Sequence, residues 1–493
     1  MRFLVLSVII MAMAISSCQS GGGFPNVVSS PPKADIAMLK QAYDLYKEQS
    51  ITHRRFKHAD IESLILNHKE NNVLEVGEIG KSVLDKSIYE LRFGQGPKKV
   101  MLWSQMHGNE PTATMALMDL FNFLEGQNDG LDSVRNLLRD RTTLHFIPML
   151  NPDGADRYVR RNALDIDLNR DARAGATPEG ALLKQRASEI NPSYGFNLHD
   201  QNIYYNVPGT PTPVTIALLA PAFNYERDIN DVRGRAIKLA VGMNHLLQEL
   251  IPGAVARYDD AFTPRGFGDN FQMWGASTIL IESGGYKGDP EKQFIRELNF
   301  KIILNALIEI AHGSYEKHLI HEYEQIPVND SKLFDLLVRQ VRITNNDSLS
   351  FVADLGINRD EITQDTSFSL RSRIADLGDL KENYGYDELA IGELDYVPGK
   401  IYPRSFTSVA QIDSAKVMEL LREGYCAARV TRIPPDFDPK TLPLVLFNQR
   451  TPQLGLPGLG KEAHFFLAKD GELLYAVVNG QLVSLQSRED PEE

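Results

Sequence analysis

Between Val100 and Phe121 an apolar run of strand character (Val100 to Trp103) breaks into Ser-Gln-Met-His107-Gly-Asn-Glu110-Pro. It resumes as a helical pattern through Ala113, Met115, Leu117, Met118, Leu120 and Phe121. A chain that switches from strand to helix in this way, and does so repeatedly, folds as a sheet covered by helices. The switch also carries His107 and Glu110 three positions apart. On the first turn of a helix, residues i and i+3 share a face, so this spacing predicts an imidazole and a carboxylate converging on one ion.

The alternation recurs. Ala34 to about Leu66 opens with a helical pattern (Ile36, Leu39, Ala42, Leu45, Tyr46) and then reads as looser structure. Strands are predicted at Leu74 to Gly80, Ser87 to Phe93, Lys99 to Gln105, Thr143 to Met149, Gly195 to Leu198 and Ser277 to Glu282. Helices are predicted at 113–125, Arg233 to Leu250 and Gln293 to His312, and Asn151-Pro-Asp-Gly154 is a turn signal. The fold class is therefore α/β over residues 34–322, with a mixed, mostly parallel sheet flanked by helices.

After about Tyr323 the segments shorten and become rich in Val, Ile and Thr. Leu336 to Thr344, Ser350 to Leu355, Ile401 to Phe406, Ala427 to Thr431, Leu444 to Asn448, Ala463 to Ala468 and Leu473 to Val478 read as strands, with one helix near Ser414 to Glu423. Residues 323–486 thus form a mostly-β accessory domain, followed by an acidic tail at 487–493. The 493 residues leave room for two to four domains at about 150 residues each. A net charge of -13 gives no basic face for nucleic acid.

The first segment lies outside the fold. Arg2 precedes an apolar run, Phe3 to Ile15, that falls short of the about 20 residues needed to span a bilayer. A charged start, a short apolar core and small residues before Cys18 describe an export signal over residues 1–17. Cys18 resembles the lipidated cysteine of bacterial lipoproteins, and the Gly-, Ser- and Pro-rich stretch to residue 33 reads as a tether. The expectation is an exported lipoprotein, anchored in a membrane of the bacterial envelope and facing the periplasm or the cell surface. Cys426 is then the one remaining thiol, too few for an intramolecular disulfide and expected as a buried small hydrophobe.

Three later segments supply what His107 and Glu110 lack. His199, in Gly-Phe-Asn-Leu-His199-Asp, stands where a strand should end, and strand ends are where open α/β sheets place their chemistry. With it the set becomes His, Glu, His. Three protein ligands with an open fourth position are the arrangement of catalytic zinc. Glu282 closes the strand Ile279-Leu-Ile and is followed by Ser-Gly-Gly, a place packing explains poorly. Beside a metal it could take the proton from an attacking water and pass it to a leaving amine. The run Arg157-Tyr-Val-Arg160-Arg161-Asn162 to Asp167-Leu-Asn169-Arg170-Asp171 concentrates four arginines in an acidic protein. Arginine forks match carboxylates, so the run could hold a substrate carboxylate and polarise a carbonyl.

Taken together, His107-x-x-Glu110, Asn-Pro-Asp-Gly154, Arg160-x-Asn162 to Asp167-Leu-Asn169-Arg170, His199 and Glu282 resemble the zinc carboxypeptidase superfamily, the carboxypeptidase A-like metallopeptidases, in order and spacing. The resemblance covers roughly Phe56 to His312. It implies one zinc ion per chain on His107, Glu110 and His199, with Glu282 as general base and Arg160 at the oxyanion. It further implies that Asn169 and Arg170 hold the substrate's terminal carboxylate and that Asp167 orients His107. The family's peptidases carry a loop tyrosine about two dozen residues before the base. Tyr258 stands near that place out of clear register, and Phe262 could occupy it, while Arg265 and Asp269 are candidates for the side-chain pocket.

The implied activity is a zinc metallocarboxypeptidase acting on peptides or peptide-like substrates with a free carboxylate. Two other amide hydrolases stay open. One is an N-acyl amino acid deacylase of the aspartoacylase and succinylglutamate desuccinylase type, which shares the His-Gly-Asn-Glu string. The other is a cell-wall peptide hydrolase. A non-catalytic binding lipoprotein is the rival from another class.

Overall fold

Parallel strands need long crossovers, and this chain supplies them as helices. A computed structural model describes residues 35–345, 349–434, 437, 438, 440 and 442–486. The expected signal segment, Cys18, the tether and the acidic tail lie outside the described residues. In chain order the first part comprises α1 (Ile36–Tyr46), α2 (His58–Glu70), β1 (Glu75–Lys81), β2 (Ser87–Phe93), β3 (Lys98–Ser104), α3 (Thr112–Glu125), α4 (Asp132–Arg141), β4 (Thr142–Ile147) and α5 (Pro152–Arg157). There follow α6 (Pro178–Ile190), β5 (Tyr194–Asp200), β6 (Ile216–Leu219), α7 (Asp231–Leu250), β7 (Val255–Arg257), α8 (Phe267–Met273), β8 (Ser277–Ser283), α9 (Gln293–His312) and α10 (Ile320–Glu324).

The eight strands form one sheet in the order β1-β2-β4-β3-β5-β8-β6-β7. Its centre is parallel, with β4, β3, β5 and β8 running the same way. The antiparallel pairings lie outside that centre, at β1–β2, β2–β4 and β6–β8. Alternate side chains of each central strand enter two different cores. Val100, Leu102, Phe196, Leu198, Ile279 and Ile281 join α3, α7 and α9 on one face. Met101, Trp103 and Ile147 join α6 and α8 on the other, where Trp103 stacks on Phe271 at 4.2 Å between ring centroids.

α3 is buried almost all round, and it carries a charge into the core. Asp119 on α3 and Arg296 on α9 have side chains 0% exposed. Arg296 Nε donates to Asp119 Oδ2 at 2.7 Å, and its other nitrogens reach the carbonyls of Ile51 and Glu48 at 2.7 and 2.8 Å. With its donors satisfied, the guanidinium can stay buried and tie α1's exit, α3 and α9 together.

The rest of the chain is mostly β, with β9 (Leu333–Asn345), β10 (Leu349–Gln364), β11 (Ser367–Gly378), β12 (Tyr384–Leu389), β13 (Leu394–Pro398), β14 (Lys400–Ile401) and β15 (Phe406–Ser408). Then come α11 (Ser414–Arg422), β16 (Tyr425–Arg432), β17 (Val445–Phe447), β18 (His464–Lys469), β19 (Glu472–Val478) and β20 (Gln481–Ser484). These strands make an eight-stranded and a four-stranded sheet. Cys426 is buried there. The two regions meet in a charged seam: Arg54 Nη2 and Arg55 Nη2 each donate to one oxygen of Glu361 at 2.6 Å. No helix among the described residues is long and apolar enough to cross a membrane.

Four expectations need correction. The stretch after α1 is not loose but carries α2, whose buried Ile61 and Ile65 are the sparse signal of a helix with a polar outer face. Asn151 to Gly154 is not a bare turn: Asn151 Oδ1 accepts Gly154 N–H at 2.9 Å and caps α5, with Pro152 at its first position. The strands expected at Leu336 to Thr344 and Ser350 to Leu355 are longer, at 13 and 16 residues, and are joined by β11, of 12 residues, for which no strand was expected, because charged side chains interrupt the apolar runs without ending the pairing. Ile401 to Phe406 is two short strands around a bend, and both pair in parallel with β16.

Replacing Arg296 with Met leaves Asp119 without its counter-ion in the core, held only by the Glu48 amide. Arg296→Met should lower the unfolding free energy by about 3–5 kcal/mol, read from the urea midpoint at unchanged m-value. A midpoint equal to the parent's would show that the pair carries no net stability.

Candidate metal centre

Three neighbouring parallel strands, β3, β5 and β8, end on the same side of the sheet, and each end carries a chemical group. His199 is the penultimate residue of β5 and pairs in register with Glu282 of β8. His107 and Glu110 follow β3 in the turn before α3, with Glu110 N–H donating to the His107 carbonyl at 3.1 Å. They therefore converge through a tight turn and not, as the spacing predicted, on the first turn of a helix, which begins only at Thr112. Glycines make that turn possible. A Cβ on Gly108 would overlap the backbone of Gly154, so the His-Gly-Asn-Glu and Asn-Pro-Asp-Gly motifs pack main chain against main chain. Asn151 Nδ2 seals the contact by donating to the Met106 carbonyl at 3.1 Å.

Glu110 stands at the centre of the cluster. Its Oε1 lies 2.9 Å from His107 Nδ1, and its Oε2 lies 2.7 Å from His199 Nδ1. One ligand atom from each of the three residues falls within 4.8 Å of the others, and all three residues are buried. His107 Nε2 donates to Asp167 Oδ1 at 3.0 Å, which leaves Nδ1 as the nitrogen facing Glu110. Arg160 holds both acids: Nη1 donates to Glu110 Oε1 at 3.0 Å, while Nε and Nη2 each lie 3.1 Å from Asp167 Oδ2.

The charges follow from these contacts. Burial alone would keep Glu110 neutral, but His107 and His199 hold its carboxyl well below the usual range. Asp167 is likewise desolvated, and the His107 hydrogen bond with the Arg160 charge keeps it low. Burial lowers His199 and so favours the neutral imidazole. At His107 burial acts the same way, but Glu110 and Asp167 outweigh it and raise the group. Glu282 is pushed well above the ordinary carboxylate value by burial, then by the neighbouring charges of Glu110 and Asp200.

The residues fit a zinc ion. His107 Nδ1 is buried without a hydrogen-bond partner although it points at a carboxylate, a wasteful arrangement unless a cation completes it. Two imidazole nitrogens and a carboxylate are a donor set that suits zinc and leaves a coordination position open.

The cluster opens into a cavity of about 250 Å³, whose wall includes Glu282, Arg160, Asn169, Arg170, Tyr258 and Asp269. Arg170 is exposed there, and its Nη1 donates to the Asn169 carbonyl at 2.8 Å. Asn169 Oδ1 accepts the Phe267 N–H at 2.9 Å, which leaves its Nδ2 at 3.5 Å from His199 Nε2. Burial pushes the Asp269 carboxyl up to about 6, against the Thr263 amide that hydrogen-bonds it. Arg265 is not on the cavity wall; its Nε donates to the Arg170 carbonyl at 3.0 Å. Of the two candidates for the loop ring, Tyr258 enters the wall and hydrogen-bonds Tyr205 at 3.4 Å, whereas Phe262 packs edge-on against Tyr225.

Two residues beside the cluster went unseen in the sequence. Asp200 follows His199 directly, and Lys292 reaches it from the start of α9 at 3.0 Å. The acid next to His199 was a visible signal, whereas its partner 92 positions on was not.

Residues 64–199 match the model of the zinc carboxypeptidase family, a span that contains His107, Glu110 and His199 and stops before Glu282. An uncharacterised protein of Zymomonas mobilis is 37% identical over 125 residues, 24% of this chain and 32% of that protein. Human carboxypeptidase D is 25% identical over 186 residues, 34% of this chain and 13% of that protein. The chain thus spans a third or less of either relative. A metallo-carboxypeptidase from Burkholderia cenocepacia superposes with a TM-score of 0.41 at 18% identity, over 53% of this chain and 70% of that one. The family match and the His-Glu-His cluster fall on the same strand ends, and over residues 64–199 the chain carries the pattern of the zinc carboxypeptidase family.

Proposed function

We propose that this protein is a zinc metallocarboxypeptidase that removes C-terminal residues from peptides. The observation that carries the reading is the β5–β8 register, which sets the buried carboxyl of Glu282 opposite His199 on the wall of the cavity that holds the triad. His107, Glu110 and His199 would hold a zinc ion, which would supply a Lewis acid and a positive charge favouring the ionised form of Glu282.

The chain's own groups then divide the work. Glu282 accepts a proton from the attacking water and returns it to the leaving amine, a transfer that suits a carboxyl whose proton affinity burial has raised. Arg160, with its side chain 43% exposed at the cavity, offers guanidinium hydrogens to the carbonyl oxygen as charge develops there. Arg170 and Asn169 recognise the terminal carboxylate, and a free C-terminus becomes a requirement for binding. Tyr258 has a hydroxyl pushed upward by burial, so it remains a proton donor at neutral pH. Export and lipid attachment at Cys18 complete the proposal and are supported by the sequence of residues 1–18.

The reading is tested with peptide pools, free and C-terminally amidated, incubated with zinc-loaded protein and followed by mass spectrometry. Loss of single C-terminal residues from the free pool alone is the expected result. Cleavage of acyl-amino acids or cell-wall peptides in its place would move the assignment to a different amide hydrolase, and zinc binding without hydrolysis of any of them would make the protein a binding module.

Two substitutions assign the roles. Glu282→Gln should retain zinc at one ion per chain by elemental analysis and lose about 10²–10⁴-fold in kcat; undiminished turnover would remove Glu282 from the role of base. Arg170→Ala should raise KM for free peptides about 10–100-fold, the worth of a hydrogen bond to a charged group. An equal effect on amidated peptides would mean that Arg170 does not read the carboxylate.

A further inference from the structure

Lys292 is a poor choice for its position by three local criteria. Its side chain is 6% exposed, so its ammonium is almost wholly desolvated. Its backbone sits in the left-handed region at φ 51°, where a residue with a Cβ is disfavoured. It also immediately precedes α9, at the helix end whose dipole repels a cation. Asp289 already caps that helix, accepting the amides of Gln293, Phe294 and Ile295, so helix initiation does not call for Lys292.

What the position gains lies across the sheet. Lys292 Nζ donates to Asp200 Oδ2 and to the Ser283 carbonyl, each at 3.0 Å. Asp200 and Ser283 are the residues that immediately follow His199 and Glu282, and they face each other in register as β5 and β8 end. The same Asp200 Oδ2 accepts the hydroxyl of Thr112 at 2.6 Å, two residues beyond Glu110. The Asp200 main-chain N–H donates to Glu110 Oε2 at 3.3 Å. Asn299, two turns along α9, donates to Ser283 Oγ at 2.8 Å and holds that strand end a second time.

We propose that Asp200 and Lys292 are positioning residues: their buried ion pair, shared with Thr112 and the Ser283 carbonyl, fixes the distance between Glu282 and the metal-binding triad. The inference rests on the reading of Glu282 as base and of the triad as a zinc site. The node joins the three segments that carry Glu110, His199 and Glu282; Asp200 lies on the cavity wall, while Lys292 and Thr112 hold it from behind that wall. A strand end is otherwise free to fray, and a base displaced by even an ångström loses much of its rate. Charged hydrogen bonds in a dry setting supply a stiff restraint at that point.

The test uses the full zinc-loaded chain and the variants Lys292→Met, Asp200→Asn, the Asp200→Asn/Lys292→Met double variant and Thr112→Val. Each single charge variant leaves a buried partner uncompensated and should melt at lower temperature, whereas the double variant removes both charges and should recover most of the parent's Tm. If the pair positions Glu282, the double variant, melting near the parent, still shows kcat reduced at least tenfold with KM within twofold and zinc at one ion per chain. Thr112→Val should lower kcat several-fold with little change in Tm. A double variant with parental kcat would overturn the proposal and leave the pair a stability element. Should the parent hydrolyse no peptide, the proposed function fails on its own account. The node is then read from the visible spectrum of the cobalt-substituted protein. A shifted spectrum in the double variant supports positioning of the ligands, and an unchanged one overturns it.

Discussion

Glu110 is 6% exposed and yet ionised, and most of the surrounding structure serves to keep it that way. A buried carboxylate is unstable unless cations and donors surround it. Here two imidazoles, the Arg160 guanidinium and the Asp200 amide do so, from three places: His107 in Glu110's own turn, Arg160 after α5, and His199 with Asp200 at the end of β5. Only His107 is brought to Glu110 locally. The two strand ends meet because β3 and β5 are parallel neighbours and both stop at the same level of the sheet. The ligand cluster is thus a consequence of strand order, and the α/β topology is the condition for the chemistry.

Desolvation runs outward from that point in matched pairs. Asp167 supports His107 and is itself held by Arg160; Asp200 lies beside His199 and is held by Lys292. Farther in, Asp119 and Arg296 lock α3 to α9, so the helix that follows Glu110 and the helix that follows Glu282 share a rigid joint. Glu282 forms no ion pair of that kind among the described residues, and Arg160 and Lys292 act on it only as nearby charges. Its upward shift comes first from burial and then from the charges of Glu110 and Asp200 beside it. Functional groups are often those a protein declines to neutralise.

The parts legible in the sequence were those where packing gives no reason for a residue. His107, Glu110, His199 and Glu282 all interrupt apolar runs at chain reversals, and their order was enough to suggest one site. A short helix with a buried charge was harder to read than the long ones. α4 turns Val134, Arg135 and Leu138 inward, and the buried Arg135 erases the apolar stripe that would announce it. The Asp200–Lys292 pair leaves no local pattern, since ion pairing across 92 residues has no period. The choice between Tyr258 and Phe262 turns on how the irregular segment between β7 and α8 is bent, which depends on Asp269 accepting the Thr263 amide and on Tyr225 offering Phe262 a ring to pack against.

Loops that extend past catalytic strand ends are ordinarily the softest part of an α/β fold. In this chain the loops after β5 and β8 are held by the β region. Tyr204 donates to Asp335 at 2.6 Å, and Tyr386 donates to the Ile203 carbonyl at 2.6 Å. Gly285 has no side chain where a Cβ would run into the Tyr386 hydroxyl, so the loop after Glu282 packs against the same residue that grips the loop after His199. One tyrosine of the β region therefore touches both loops, and the Asp200–Lys292 pair joins the same two strand ends from within. The strand ends that carry His199 and Glu282 are restrained from the α/β core on one side and from the β sheet on the other.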